Sequence, residues 1–143
     1  MSNKNYKIGV AGAGVMGSGI AQVMAVSGCE VTCRDIDQDV LKEASKNVDS
    51  GRFGVRSAVE IGKLTEEEAK STLERIHFTT DLDALNEVDL IIEAIPERFD
   101  LKVSFWKELD KTAASGTIFA SNSSGFPISA LAAATERPDR FIG

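Results

Sequence analysis

The chain has 143 residues, enough for one domain that buries roughly two-thirds of its unfolded surface without covalent or metal staples. Hydrophobic residues make up 43% and charged residues 27%, with a mean hydropathy near zero, which excludes a disordered chain and a disulfide scaffold. No apolar run reaches the ~20 residues of a membrane span, the polar lead into Tyr6 lacks the apolar core of a signal peptide, and a net charge of −6 argues against nucleic-acid binding while leaving room for one local anion site.

Residues 6–11 read as a short buried strand ending in glycines. Residues 15–27 read as a helix whose period is marked by Ile20, Val23, Met24 and Ser27, with Gly28 just past its end. Residues 30–34 read as a second strand, closing a unit the size of a βαβ. The only cysteines, Cys29 and Cys33, lie in the stretch CEVTC, one just before that strand and one within it. Four residues of strand span roughly 13 Å, too far to bridge. Together with the single histidine, His77, they do not make a zinc site, so no metal is expected. Reduced, buried thiols of a cytoplasmic protein are the expectation.

Residues 37–63 look helical, with Leu41, Ala44, Val48, Val55 and Val59 on one face. Gly51 and Gly54 predict a kink or frayed stretch inside it. Thr65 and Glu68 form a capping box opening a helix that runs to about residue 75. A short strand at 77–80 and a single turn at 81–85 follow. Residues 88–94, the most apolar run, read as a central parallel strand. Residues 99–114 read as a helix carrying Leu101, Phe105, Trp106 and Leu109, and 117–121 as another buried strand. A polar loop at 121–125 leads to a short helix at 127–135 with Pro127 in its first turn. Residues 140–143 look like the start of a strand within which the sequence stops. The alternation predicts an α/β fold, a doubly wound, mostly parallel sheet.

Gly12, Ala13, Gly14, Val15, Met16 and Gly17 spell G-x-G-x-x-G between a predicted strand and a predicted helix, the context that gives the pattern meaning. Gly12 permits a tight turn, Gly14 lets the backbone approach a pyrophosphate, and Gly17 lets the helix pack closely on the strand. The helix N-terminus offers N–H groups and partial positive charge to phosphates. Asp35, at the end of the second strand, is placed to accept hydrogen bonds from an adenosine ribose and to repel a 2′-phosphate, favouring NAD over NADP. Arg34 beside it is a complication, since an arginine there could accept that phosphate.

The loop extended to Ala21, GAGVMGSGIA, resembles the L-3-hydroxyacyl-CoA dehydrogenase family. Three further stretches resemble the same family: residues 79–82 (TTDL), 90–97 (LIIEAIPE) and 120–124 (ASNSS). The resemblance implies that residues 1–143 are a Rossmann-type NAD-binding domain with a helical insertion at about 37–75. It implies a second, helical domain, absent from this sequence, that completes the substrate site and forms a homodimer. It also implies oxidation of an L-3-hydroxyacyl-CoA, short-chain such as 3-hydroxybutyryl-CoA, to the 3-ketoacyl-CoA in fatty acid or butanoate metabolism. The family's catalytic histidine and glutamate would lie beyond Gly143, so these residues alone are expected to be inactive.

By that resemblance Ser124 lies near nicotinamide and substrate oxygen, Asn122 supports the same loop, and Glu97 and Lys102 contact the ribose and nicotinamide side. Glu93 falls inside the strand signature and reads as structural. The insertion carries Lys42, Lys46, Arg52, Arg56 and Lys63, and a local basic patch there could hold coenzyme A phosphates, Arg52 and Arg56 being the candidates. Gly125-Phe126 departs from the family's usual Ser-Leu, which puts the acyl pocket in doubt. Two other readings share this domain: an NAD-dependent dehydrogenase of a free hydroxy acid such as L-gulonate, and a non-catalytic NAD-binding module.

Overall fold

A computed structural model describes residues 5–143; the polar lead at residues 1–4 lies outside the described residues. The strands are β1 Lys7–Ala11, β2 Glu30–Arg34, β3 Ile76–Thr79, β4 Leu90–Glu93, β5 Ile118–Ser121 and β6 Phe141–Ile142. The helices are α1 Val15–Val26, α2 Gln38–Ser50, α3 Val55–Glu60, α4 Glu66–Glu74, α5 Phe99–Asp110 and α6 Ile128–Ala132. Among the described residues the strands form one six-stranded sheet in the order β3-β2-β1-β4-β5-β6, every neighbouring pair parallel. The chain steps outward from β1 to β2 and β3, then crosses back to build β4, β5 and β6 on the other side of β1. This is the doubly wound Rossmann arrangement expected from the alternation, with α2, α3 and α4 inserted after β2.

Side chains alternate across the central strands, so successive residues join different cores. Ile8, Val10, Val31, Leu90 and Ile92 face one cluster with Ala21, Ala25, Leu41 and Ala44. Ala11, Ile91 and Phe119 face the other, centred on Trp106. Trp106 is fully enclosed, stacked on Phe119 at 4.6 Å between ring centroids and edge-on to Phe105 and Phe141 at 5.0 Å. Strands covered on both faces need apolar residues at every position, which is why β4 reads as a continuous apolar run until its last residue.

Four expectations need correction. First, the face α1 presents to the sheet is Gly17, Ser18, Ala21 and Ala25; Val23 is 62% exposed and Ser27 is exposed. Small side chains let the helix lie close on β1, so the bulky residues sit on its flanks, with Ile20 and Met24 only partly covered. Second, residues 37–63 are not one kinked helix but two. A Cβ on Gly51 would lie 2.5 Å from the Asn47 carbonyl oxygen, and one on Gly54 2.8 Å from the same atom. The chain doubles back on the end of α2 too tightly for side chains, and Val59 is half-buried rather than core. Third, α5 stops at Asp110 instead of 114. Arg137 donates from Nη1 to the Ala114 carbonyl at 2.7 Å and from Nη2 to the Asp110 and Ala113 carbonyls at 3.3 Å, while its Nε meets Asp110 Oδ1 at 2.6 Å. An arginine from beyond α6 thus satisfies carbonyls at and just after the end of α5, and among them Asp110's is the one a further helical turn would use. Fourth, helix α6 is shorter than the expected 127–135, with Pro127 as its N-cap.

The capping box is present: Thr65 accepts from the Glu68 N–H at 3.1 Å and Glu68 accepts from the Thr65 N–H at 2.8 Å. Thr65→Ala is expected to cost about 1 kcal/mol, read as a lower midpoint in chemical denaturation with an unchanged slope.

Candidate functional site

The crevice lies at the carboxyl ends of the strands where the winding reverses, between β1 and its two neighbours. β1 runs into Gly12, whose φ of +95° lies in the left-handed region open to glycine. The Gly12 N–H donates to the Arg34 carbonyl at 2.8 Å, and a Cβ on Gly12 would lie 2.5 Å from the Ala94 carbonyl oxygen. The glycine therefore lets the ends of β1, β2 and β4 converge. Gly14 caps α1 with no side-chain hydrogen bond, and the first turn of α1 holds no acidic residue. No side chain of the helix itself neutralises its positive end, which can take an anion. Gly17 is buried, and a Cβ there would overlap the Gly12 carbonyl oxygen.

Asp35 follows β2 directly. Its Oδ2 accepts from the Ala13 N–H at 2.8 Å and its Oδ1 from the Asp37 N–H at 3.0 Å. A carboxylate has about four acceptor sites, so this one braces the glycine loop and still has acceptor capacity for ligand hydroxyls. Arg34 points its Nε at the Thr80 carbonyl, 3.2 Å away beyond β3. Burial, and secondarily the negative charge of Asp35, pushes the Cys33 thiol up to about 12, so it stays protonated and inert at neutral pH. Both cysteines are free.

A cleft of about 730 Å³ opens from this point, within the range of small-molecule sites. Gly12, Gly14, Val15, Met16 and Asp35 line one wall. The facing wall comes from Ile95 and Pro96 after β4 and from Leu101, Ser104, Phe105 and Glu108 of α5. The spacing of those four puts them on one helix face, which explains why Leu101, an apolar residue, is 38% exposed.

A second polar group sits at the ends of β4 and β5. Glu93 and Lys102 are almost completely enclosed, at 0% and 1% exposure, and meet at 2.5 Å between Oε2 and Nζ. Glu93 Oε1 accepts from the Ser121 hydroxyl at 2.9 Å and Oε2 from the Ile95 N–H at 3.2 Å. Lys102 Nζ also lies 3.7 Å from Glu97 Oε2 and donates to the Ile95 carbonyl at 3.3 Å. The Ser123 hydroxyl donates to Glu97 Oε1, and the Ser123 N–H donates to the Ser121 hydroxyl at 3.2 Å. One connected network therefore spans β4, the start of α5 and the serine loop.

Of the sequence candidates, the cleft collects Gly12, Gly14, Val15, Met16 and Asp35. Ala13 takes part through its backbone, and Gly17 through packing. Glu97 and Lys102 belong to the network, while Asn122 and Ser124 stand exposed on the loop that it holds. Arg52 and Arg56 lie outside both groups: Arg52 sits over the Phe53 ring and Arg56 pairs with Asp49 at 2.7 Å. Phe126 packs edge-on against Phe99 at 5.4 Å, at the first residue of α5. His77 is exposed on β3 at the edge of the sheet remote from β6. Sequence reading passed over Ser121 and treated Glu93 as framework. The available signal was a carboxylate ending an apolar buried strand, a position that demands a cationic partner.

Residues 7–143 match the family model described as 3-hydroxyacyl-CoA dehydrogenase, NAD binding domain. A probable 3-hydroxybutyryl-CoA dehydrogenase of Deinococcus radiodurans is 45% identical over 137 residues, covering 96% of this chain and 48% of that protein. The mitochondrial hydroxyacyl-coenzyme A dehydrogenase of Sus scrofa is 40% identical over 94% of this chain and 44% of its own length. The crystal structure of (S)-3-hydroxybutyryl-CoA dehydrogenase from Ralstonia eutropha superposes with a TM-score of 0.90 at 39% identity, covering 96% of this chain and 48% of that one. The chain spans about half the length of the curated relatives it matches.

Proposed function

Because the chain belongs to the 3-hydroxyacyl-CoA dehydrogenase family as its NAD-binding domain, we propose that it is the cofactor-binding half of an enzyme interconverting L-3-hydroxyacyl-CoA and 3-ketoacyl-CoA. The observation that carries this reading is the uncapped N-terminus of α1 beside Asp35, both opening on one cleft. The residues fit NAD. Gly14 leaves open the space at the head of α1 that a side chain would fill, Gly12 lets the strand ends converge behind it, and the first turn of α1 offers N–H groups to a pyrophosphate. Asp35 keeps acceptors for ribose hydroxyls, and the apolar walls from Ile95 to Phe105 suit an adenine ring. When bound, NAD supplies a hydride acceptor.

On this reading Glu97, Lys102, Asn122 and Ser124 face the nicotinamide half, with Ser124 toward the substrate oxygen. The short acyl-CoA substrate follows from the names of the relatives, and a homodimeric, cytoplasmic parent enzyme is part of the same proposal. No described helix is long and apolar enough to cross a membrane.

The test is titration of the chain with NADH and NADPH by calorimetry. NADH is expected to bind at least about tenfold more tightly, because Asp35 repels a 2′-phosphate; Arg34, which lines the same cleft with only its Nε given to the Thr80 carbonyl, is the residue that would oppose this. Asp35→Ala is expected to weaken NADH by on the order of 1.5–3 kcal/mol for each charge-assisted hydrogen bond lost. Equal affinities would remove Asp35 from this role.

A further inference from the structure

β4 carries apolar residues until its final position, where Glu93 is fully enclosed. Burying a carboxylate and an ammonium together costs several kcal/mol per ion in desolvation, and apolar replacements of similar volume often stabilise as well. The Glu93–Lys102 pair is therefore poorly explained as a device for stability. What it does is join three chain segments that the sequence keeps apart. Oε2 holds Lys102 of α5 and the Ile95 N–H of the β4–α5 turn; Oε1 holds Ser121 at the end of β5. Both ends of this clamp reach the same exposed group. Lys102 lies against Glu97, and Ser121 accepts from the Ser123 N–H while Ser123 donates to Glu97. Glu97 is about half exposed, and Ser124 and Asn122 extend outward from the loop beside it.

We propose that Glu93 is a positioning residue for the nicotinamide half of the cofactor: it sets Glu97 and the serine loop in register from beneath, touching neither cofactor nor substrate. This rests on the reading that those groups face the nicotinamide. The adenosine half is held by Asp35 and the glycine loop, which share no side chain with the clamp; the two meet only at Ile95, which lines the cleft while its backbone N–H and carbonyl bind Glu93 and Lys102. The clamp's side-chain links to Glu97 and the serine loop thus lie on one half of NAD, and this separates positioning from general support of the fold.

The experiment compares NADH with ADP, which carries the adenosine and phosphates but lacks the nicotinamide, as ligands of the 143-residue chain and its Glu93→Gln variant. The amide keeps an acceptor for Ser121 but removes the charge that fixes Lys102. NADH is expected to weaken about tenfold or more while ADP stays within about twofold. Unchanged NADH affinity overturns the proposal, and so does an equal loss for both ligands, the signature of general disruption. Should Glu93→Gln fail to fold, Ser121→Ala cuts the link between Glu93 Oε1 and the serine loop while leaving the Glu93–Lys102 pair in place. That variant is expected to show the same split, and parent-like NADH binding by it overturns the proposal. A parent chain that binds ADP and NADH equally well also overturns it. One that binds neither overturns instead the assignment of the cleft to NAD.

Discussion

Gly14→Val is expected to abolish NADH binding while leaving the fold standing. Gly14 has φ −66° and ψ −165°, extended backbone that any residue adopts. A Cβ built there meets nothing within 4 Å, so no part of the protein resists it. Yet Gly14 lines the cleft at the head of α1, and an isopropyl group would fill the space in which a pyrophosphate meets the helix N–H groups. Removing that contact and its charge-assisted hydrogen bonds should cost at least about 100-fold in affinity. The melting temperature should move by only a few degrees, as for an exposed substitution. Calorimetric titration and a thermal melt of one preparation check both halves; preserved affinity would sink the assignment of the glycine loop.

Gly17→Ala should do the reverse damage with a smaller group. The added Cβ would overlap the Gly12 carbonyl oxygen and lie 2.7 Å from the Gly12 carbonyl carbon. These are backbone atoms, and Gly12 is itself fixed between the Arg34 carbonyl and Ala94. The helix must lift or the turn must open. Either costs about 3 kcal/mol, the upper part of the range for overpacking, or roughly 10 °C in a domain of this size. NADH affinity should fall as well, because the lifted turn no longer presents its N–H groups. Two glycines three residues apart thus separate ligand space from packing space. A Gly17→Ala variant as stable as the parent would show that the turn adapts.

The parts of this site legible in the sequence are those whose causes are local. Glycine loop, helix start, second strand and Asp35 lie within 24 residues, each constrained by backbone geometry that leaves a mark in residue type. The packing face of α1 was not legible, because glycine, serine and alanine bury little apolar surface and their periodicity is faint beside that of Val23 and Met24. The end of α5 was not legible either, since it is set by Arg137, 23 to 27 residues away from the groups it meets. Lys102 stands five positions after Glu97 in the sequence, yet its nearer anion is Glu93, at 2.5 Å against 3.7 Å. Helical spacing says which side chains share a face; it does not say which strand end lies beneath them.

The hydrogen bond from Ala13 to Asp35 bears on redesign of the cofactor preference. The usual change, a small neutral residue in place of the acid so that a 2′-phosphate fits, would here remove a strut from the phosphate loop as well as a charge from the ribose site. On the proposed reading adenosine selection and pyrophosphate grip share one side chain and are not independent modules. A successful exchange must therefore supply two things at once: a cation for the new phosphate, for which Arg34 already lines the cleft, and a fresh acceptor for the Ala13 N–H.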